Sequence, residues 1–426
     1  MRKIEIPADW LVASLLKMAG TRNVAILDSC GVGSVEANLL IAGIDPVEVF
    51  EMSNLDPTET LRIFDEKLAA KDLAAIFTIS YDFGLKLQHI ERQQDRIDSP
   101  PEPDIFIALF DHLVIHNYAD GQTFLSGNSA KFDKIQKNLL NFESRDEQPS
   151  ESRPSKPVAS CSNFTKPEYL DAINKIKELI RSGDTYQTNL TQQLSVELSN
   201  LLTAAHIFER LRRDHPAPFA AYIDRGTSKV VSASPIKGTR RRGSTAEEDQ
   251  FLCADLLTSE KDRAENTMIV DLVRNDFGRI CDYGSVSVES LGVLEEHPTL
   301  FHLASTVNGI LREGTTYSDI LKAVFPCGSI TGAPKVRTMH IIDEIEDTCR
   351  GLSMGAIGCS IPEGSFGLPA AFEMSVAIRT MIIRDGKAVL NVGGGIVIDS
   401  DPESEYAESL LKAKALLRAL NPGKTE

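Results

Sequence analysis

FEMSVAIRTMIIRDGKAVLNVGGGIVIDS, residues 372–400, reads as two β-rich runs on either side of Asp385-Gly386. A two-residue Asp-Gly turn needs positive φ and matches the twist of paired antiparallel strands. The stretch therefore predicts strands at 372–384 and 387–399 joined as a hairpin. Working outward, further strand-like runs fall at 185–198, 219–224, 228–233, 284–291, 302–311 and 352–361. Runs with helical spacing interleave at 201–213, 260–275, 318–325, 333–346 and 403–419. Long strands joined by hairpins, with helices between them, predict an α+β fold of antiparallel sheets covered by helices.

The chain has 426 residues, which at roughly 150 per domain corresponds to about two or three domains. Residues 143 to 167, ESRDEQPSESRPSKPVASCSNFTKP, are rich in Ser, Pro and charge. They place a linker at 146–165, between regions 1–145 and 166–426. The second region opens with a helix signal: Thr165 and Glu168 form a capping box around Pro167, and Gly183 ends the helix. Formal net charge is −16, which disfavours nucleic acid as a partner. Seven dispersed cysteines, none in a CxxC pair, suit reduced thiols in a cytoplasmic protein. The N-terminus is a poor signal peptide, and no run approaches a membrane span.

Two acidic helices carry the most informative chemistry. Downstream of Gly393-Gly394-Gly395, the run DPESEYAESLLKAKAL starts a helix at Pro402 and sets Glu405, Glu408 and Lys412 on one stripe. Upstream, EKDRAENTMIVDLVRND (260–276) puts Met268, Ile269, Leu272 and Val273 on an apolar stripe and Asp262 and Glu265 elsewhere. Glu265 and Glu408 facing each other can share one divalent ion, and hard oxygen ligands suit Mg2+. The alternative is a solvated face with a Glu408–Lys412 ion pair. CGSITGAPKVRTMHIIDEIE (327–346) feeds a small-residue loop into a helix with Val336, Met339, Ile342 and Ile345 as its buried stripe. N–H groups around Thr331, Gly332 and Ala333 can hold a carboxylate there, unless the loop is an ordinary cap. Arg379 is a carboxylate clamp or a cross-strand ion-pair partner. His302 is a proton carrier or a structural histidine. Lys237 in SPIKGTRRRG becomes a nucleophile if burial or the field of Arg240, Arg241 and Arg242 lowers its pKa; otherwise it is a basic surface turn.

Taken in order, AILDSC (25–30), SYDFG (80–84), PDIFIALFDHLVI (103–115), GDTYQTNLTQ, PIKGT, KDRAEN-MIVDLVRND, HLASTVNG, GSITGAPKVR, AIRT and GGGIVIDS-ESEYAES resemble the chorismate-utilising enzymes. They are most similar to the aminodeoxychorismate synthase component I group. The resemblance implies a sandwich of antiparallel sheets with helices outside, an N-terminal domain like that of anthranilate synthase component I, and a chorismate-binding catalytic domain. It implies Mg2+ on Glu265 and Glu408, backed by Asp262 and Glu405. It implies that Arg379, Gly394, Gly395 and Lys412 hold the enolpyruvyl group, and that Thr331, Gly332 and Ala333 complete the anion site. Leu27, Asp28 and Ser29 resemble the lining of a tryptophan pocket. For the aminodeoxychorismate group the resemblance implies that Lys237 attacks C2 of chorismate, and His302 is a second catalytic candidate. Ammonia would come from a separate glutamine amidotransferase subunit, for amination at C4 on the way to p-aminobenzoate and folate. One departure stands out: VVSASPIKGT runs straight through where the family carries a Ser-Pro-Glu segment and a further strand. The glutamate of that segment has no counterpart here. Two alternatives follow: an anthranilate synthase component I, or a chorismate- or tryptophan-binding subunit with impaired catalysis.

Overall fold

The structure is a computed structural model that describes residues 1–32, 38–92, 102–140, 160–199, 201–234, 240–296 and 300–420. The strands around Asp385-Gly386 pair antiparallel, with Arg384 opposite Lys387 and Met381 opposite Leu390. Asp385 and Gly386 both take positive φ, as the turn demands. The first of the two runs is broken, however. Ala371–Val376 and Thr380–Arg384 are separate strands in different sheets. The chain crosses between sheets at Ala377–Arg379, where Arg379 adopts φ +47. Few side chains tolerate that conformation, which periodicity alone does not reveal.

Among the described residues the strands form sheets of twelve, five and three strands, and every pairing is antiparallel. The two larger sheets pack face to face. Alternation along the strands supplies both faces. On Phe219–Asp224, Ala221 and Ile223 point between the sheets, while Ala220 and Tyr222 point outward under helices. The outer face of the large sheet is covered by helices Ala8–Met18, Phe132–Leu140, Ala204–Asp214 and Pro402–Leu420. The outer face of the five-stranded sheet is covered by Pro57–Leu68 and Tyr317–Val324, around Phe64, Phe77 and Leu321. The result is an α+β sandwich with helices outside.

Both large sheets draw strands from either side of residues 141–159. Val24–Asp28 pairs with Phe219–Asp224, and Ala74–Ile79 pairs with Ala356–Ile361. The capping box at Thr165 is formed, with Glu168 accepting from the Thr165 amide at 2.7 Å, and the helix spans Lys166–Arg181. The helix Lys335–Ile345 buries Met339, Ile341 and Ile342, but Val336 is 43% exposed, so its stripe is rotated from the predicted one. A helix at Ala246–Thr258 has little amphipathic pattern, and the sequence reading does not include it. No helix among the described residues is long and apolar enough to cross a membrane.

Candidate functional site

The site lies toward one edge of the large sheet. There Gln187–Glu197 is flanked by Lys387–Ile396 on one side and by Gly332–Ala333 on the other. Asn189 stands opposite Gly395, Leu190 opposite Gly394 and Thr191 opposite Gly393. Neighbouring residues on a strand point to opposite faces. Accordingly, the two glycines open toward different groups. A side chain begun at Gly394 would meet Glu405 Oε2 at 3.3 Å and Lys412 Nζ at 3.4 Å. One begun at Gly395 would meet Gln187 Nε2 at 2.2 Å and Glu265 Oε1 at 3.3 Å. Thus the two acidic helices, Glu260–Gly278 and Pro402–Leu420, each bring a carboxylate to the same pair of glycines.

Each carboxylate is held. Gln187 donates through Nε2 to Glu265 Oε1 at 3.1 Å, and the buried Gln187 Oε1 has no hydrogen-bond partner among the described residues. Glu405 is buried and accepts from Ser400 Oγ at 2.7 Å. Lys412 donates to Gly393 O at 2.9 Å and pairs with Glu408 at 2.8 Å. Asp262 pairs with Arg240 at 3.1 Å rather than standing free behind Glu265. Among the described residues no cluster of three or more Asp, Glu, His or Cys is gathered for a metal. Even so, the oxygens of Glu265 and Gln187 on one side and Glu405 on the other are all hard donors. The orphaned Gln187 oxygen lies beside Glu265, and these hard oxygen donors suit Mg2+ better than a soft metal, whereas Glu405 meets the other face of the strand.

The anion loop is close by. Tyr186 N donates to Ala333 O at 2.7 Å and Asn189 N to Thr331 O at 2.8 Å. Gly332 has φ +145, and a Cβ there would sit 2.0 Å from Gln187 O, so glycine is required. Thr331 N donates to Gly328 O at 3.2 Å, so this amide already has a partner, contrary to the expectation of a free N–H. An open cleft of about 720 Å3 runs along the Glu260–Gly278 helix, lined by Met268, Leu272, Asn275, Pro334 and Lys335 among others. The expected apolar stripe of this helix is thus only partly covered. At its floor Lys335 pairs with Asp276 at 2.6 Å, and burial pushes the Asp276 carboxyl up despite that cation.

The remaining candidates fall in different places. Arg379 sits where the chain enters the large sheet, its carbonyl accepting from Ala233 N at 3.3 Å, and burial pushes its guanidinium down. Lys237 lies outside the described residues; the strand leading to it, Lys229–Ser234, pairs with Thr380–Arg384 and ends beside Arg379. His302 lies on Leu300–Asn308 opposite Glu295, and its side chain is outside the described set. Arg240 and Arg242 do not supply an unopposed field. Arg240 pairs with Asp255 and Asp262, and Arg242 with Asp249, because the Ala246–Thr258 helix and the start of Glu260–Gly278 present acids to them. Asp28 is buried and accepts from Cys30 N at 2.8 Å, Tyr118 OH at 2.7 Å and Arg212 Nε at 2.8 Å. Its carboxylate is therefore satisfied from within, while the neighbouring Ser29 Oγ is buried and lacks a partner among the described residues. Gln187 is the site residue that the sequence reading passed over. Its signal was position alone, inside GDTYQTNLTQ.

Comparison with known proteins agrees with this arrangement. Aminodeoxychorismate synthase component 1 of Bacillus subtilis (strain 168) is 36% identical over 375 residues, covering 83% of this chain and 78% of that protein. Anthranilate synthase component 1 of Aquifex aeolicus (strain VF5) is 42% identical over 274 residues, covering 61% of this chain and 54% of the relative. The chain thus spans about half the length of that second relative. The crystal structure of anthranilate synthase component I from Streptococcus pneumoniae TIGR4 superposes with a TM-score of 0.76 at 28% identity, covering 91% of this chain and 93% of that one. The family model described as chorismate binding enzyme matches residues 32–418, a span that takes in both acidic helices, the glycine strand and the anion loop. By that match, and by the way these elements converge on Gly394 and Gly395, the chain belongs to the chorismate binding enzyme family.

Proposed function

We propose that this enzyme aminates chorismate at C4 to give 4-amino-4-deoxychorismate, with ammonia supplied by a glutamine amidotransferase partner. The observation that carries the reading is the breadth of the aminodeoxychorismate synthase match. It covers 83% of this chain, against 61% for the anthranilate synthase match. Lys237 supports it independently, since an amine at that position attacks C2 of chorismate and blocks the path of ammonia to the same carbon. The product would feed p-aminobenzoate and folate synthesis in the cytoplasm, a setting consistent with seven free cysteines.

In this proposal Glu265 and Glu408 hold Mg2+, with Asp262 and Glu405 as supports. Bound there, the ion supplies positive charge for the ring carboxylate. Arg379, Lys412 and the amides of Gly394 and Gly395 take the enolpyruvyl carboxylate, with Thr331, Gly332 and Ala333 closing the far side. The Lys237 amine forms a bond to C2 as the C4–O bond breaks and hydroxide leaves, both conjugated ring double bonds shifting, from C1=C2 and C5=C6 to C1=C6 and C4=C5. In this reading His302 exchanges the proton of that departing group. Ammonia then bonds to C4, both double bonds shift back, and the Lys237 amine leaves C2. Purified protein with chorismate, Mg2+ and ammonia, followed by added lyase, should yield p-aminobenzoate. Yield no higher than that of the K237A variant would count against the proposal.

A second reading is favoured by one observation, the direct run of VVSASPIKGT without a Ser-Pro-Glu acid. It makes the chain a chorismate-binding subunit with impaired catalysis. Calorimetry showing Mg2+-dependent chorismate binding without turnover would support it.

A further inference from the structure

Arg350 lies behind the site and is buried together with Glu346. Its guanidinium makes four hydrogen bonds. Nε and Nη2 grip the two oxygens of Glu346 at 2.8 and 2.7 Å. Nη1 donates to Ile330 O at 2.9 Å, and Nη2 donates to Asn189 O at 2.7 Å. The flat face of the ion lies 4.5 Å from the centre of the Tyr81 ring. Glu346 is anchored in turn: its Oε1 accepts from Thr191 N at 2.7 Å and from Thr191 Oγ1 at 3.0 Å. Ile330 immediately precedes the Thr331–Ala333 loop, and Asn189 and Thr191 stand opposite Gly395 and Gly393. A single ion pair therefore touches the backbone of the anion loop and the strand that borders the glycines.

We propose that Arg350, oriented by Glu346, is a positioning residue that fixes the gap between the Thr331–Ala333 loop and the Gln187–Thr191 end of the strand, and so sets the site's affinity for a substrate carboxylate. Removing the guanidinium would leave two carbonyls and a carboxylate facing one another in a buried space. Lysine keeps the charge but lacks the planar fork, so it cannot grip Glu346 with two bonds and still reach both carbonyls. The ligand in this proposal rests on the chorismate reading above; the loop geometry does not.

The test uses the full chain carrying R350K. Hydrogen exchange should quicken by about tenfold or more at the amides of 329–333 and 187–191, and stay unchanged in the Thr165-capped helix and the Pro57–Leu68 helix. If the loop loosens by one hydrogen bond to a charged donor, KM for chorismate should rise about tenfold, with kcat changed by less than about threefold. Faster exchange spread evenly over the molecule, or unchanged exchange at both segments, would overturn the proposal, as would an unchanged KM. E346Q preserves size and removes the charge. It should shift the same two segments and KM in the same direction, and it carries the test if R350K does not fold. If the wild-type chain neither binds nor turns over chorismate, the functional reading fails, while the exchange pattern still decides the role of Arg350.

Discussion

Three adjacent glycines offer a graded test, because an alanine at each meets a different neighbour. At Gly395 the added Cβ would lie 2.2 Å from Gln187 Nε2, against an ordinary contact of about 3.4 Å or more, so the amide must move by over about 1 Å. That shift breaks its 3.1 Å hydrogen bond to Glu265. A hydrogen bond to a charged group is worth about 1.5–3 kcal/mol, which corresponds to about 10- to 150-fold in rate if it is lost from the site. The fold loses little, since Gly→Ala in an extended conformation returns about 0.4–1 kcal/mol through the unfolded chain. G395A should therefore lower kcat/KM by about 10- to 100-fold with a melting temperature within a few degrees of wild type. At Gly394 the contacts are 3.3 and 3.4 Å to the ends of Glu405 and Lys412, so G394A should show a smaller loss of activity. At Gly393 the Cβ would be 1.8 Å from Leu190 O, a backbone atom that cannot yield without opening the ladder. G393A should be destabilised by about 3 kcal/mol or more, or fail to accumulate. Thermal unfolding and chorismate consumption on the three variants read both quantities. Wild-type kcat/KM in G395A, or wild-type stability in G393A, would refute the reasoning.

Three other outcomes follow from the same structure. Burial holds His112, His116 and His215 below the ordinary histidine value, so the unfolded chain takes up protons that the folded chain refuses. Stability should accordingly fall as pH drops through about 6.5, and H116Q should flatten that slope; thermal unfolding from pH 7.5 to 5.5 checks the sign. T165A should cost about 1 kcal/mol in chemical denaturation, because it removes the cap of the Lys166–Arg181 helix. E265Q should weaken Mg2+-dependent chorismate binding by at least tenfold in calorimetry while leaving the melting temperature near that of the wild type, since its hydrogen bond from Gln187 can be retained.

Much of this architecture was legible because its signals are local. Asp385-Gly386 specifies a turn, Thr165 and Glu168 specify a cap, and strand alternation specifies which side chains face between the sheets. What was illegible depends on distant partners. Nothing near Ala377–Arg379 announces that the chain changes sheets, because the break is set by pairing with residues 229–234 and 356–361. Val336 has the right spacing for burial, yet the Lys335–Ile345 helix rests on other residues and leaves it outside. In the site, the carboxylates and glycines were visible as residue types at suitable spacing. The partners that hold them were not. Gln187 is 78 positions from Glu265, and Arg350 meets Asn189 across 161. Arg240 and Arg242 read in sequence as a source of positive field, but in the fold acids of Ala246–Thr258 pair with them.

The most direct measurement is to supply 15N-labelled ammonium with chorismate and Mg2+ to the wild-type chain and locate the label in the product by NMR. Nitrogen at C4 of a product that retains its enolpyruvyl group, abolished in K237A and in E408Q, is the predicted result. Label in anthranilate, on the carbon next to the carboxylate and with pyruvate released, would contradict the account.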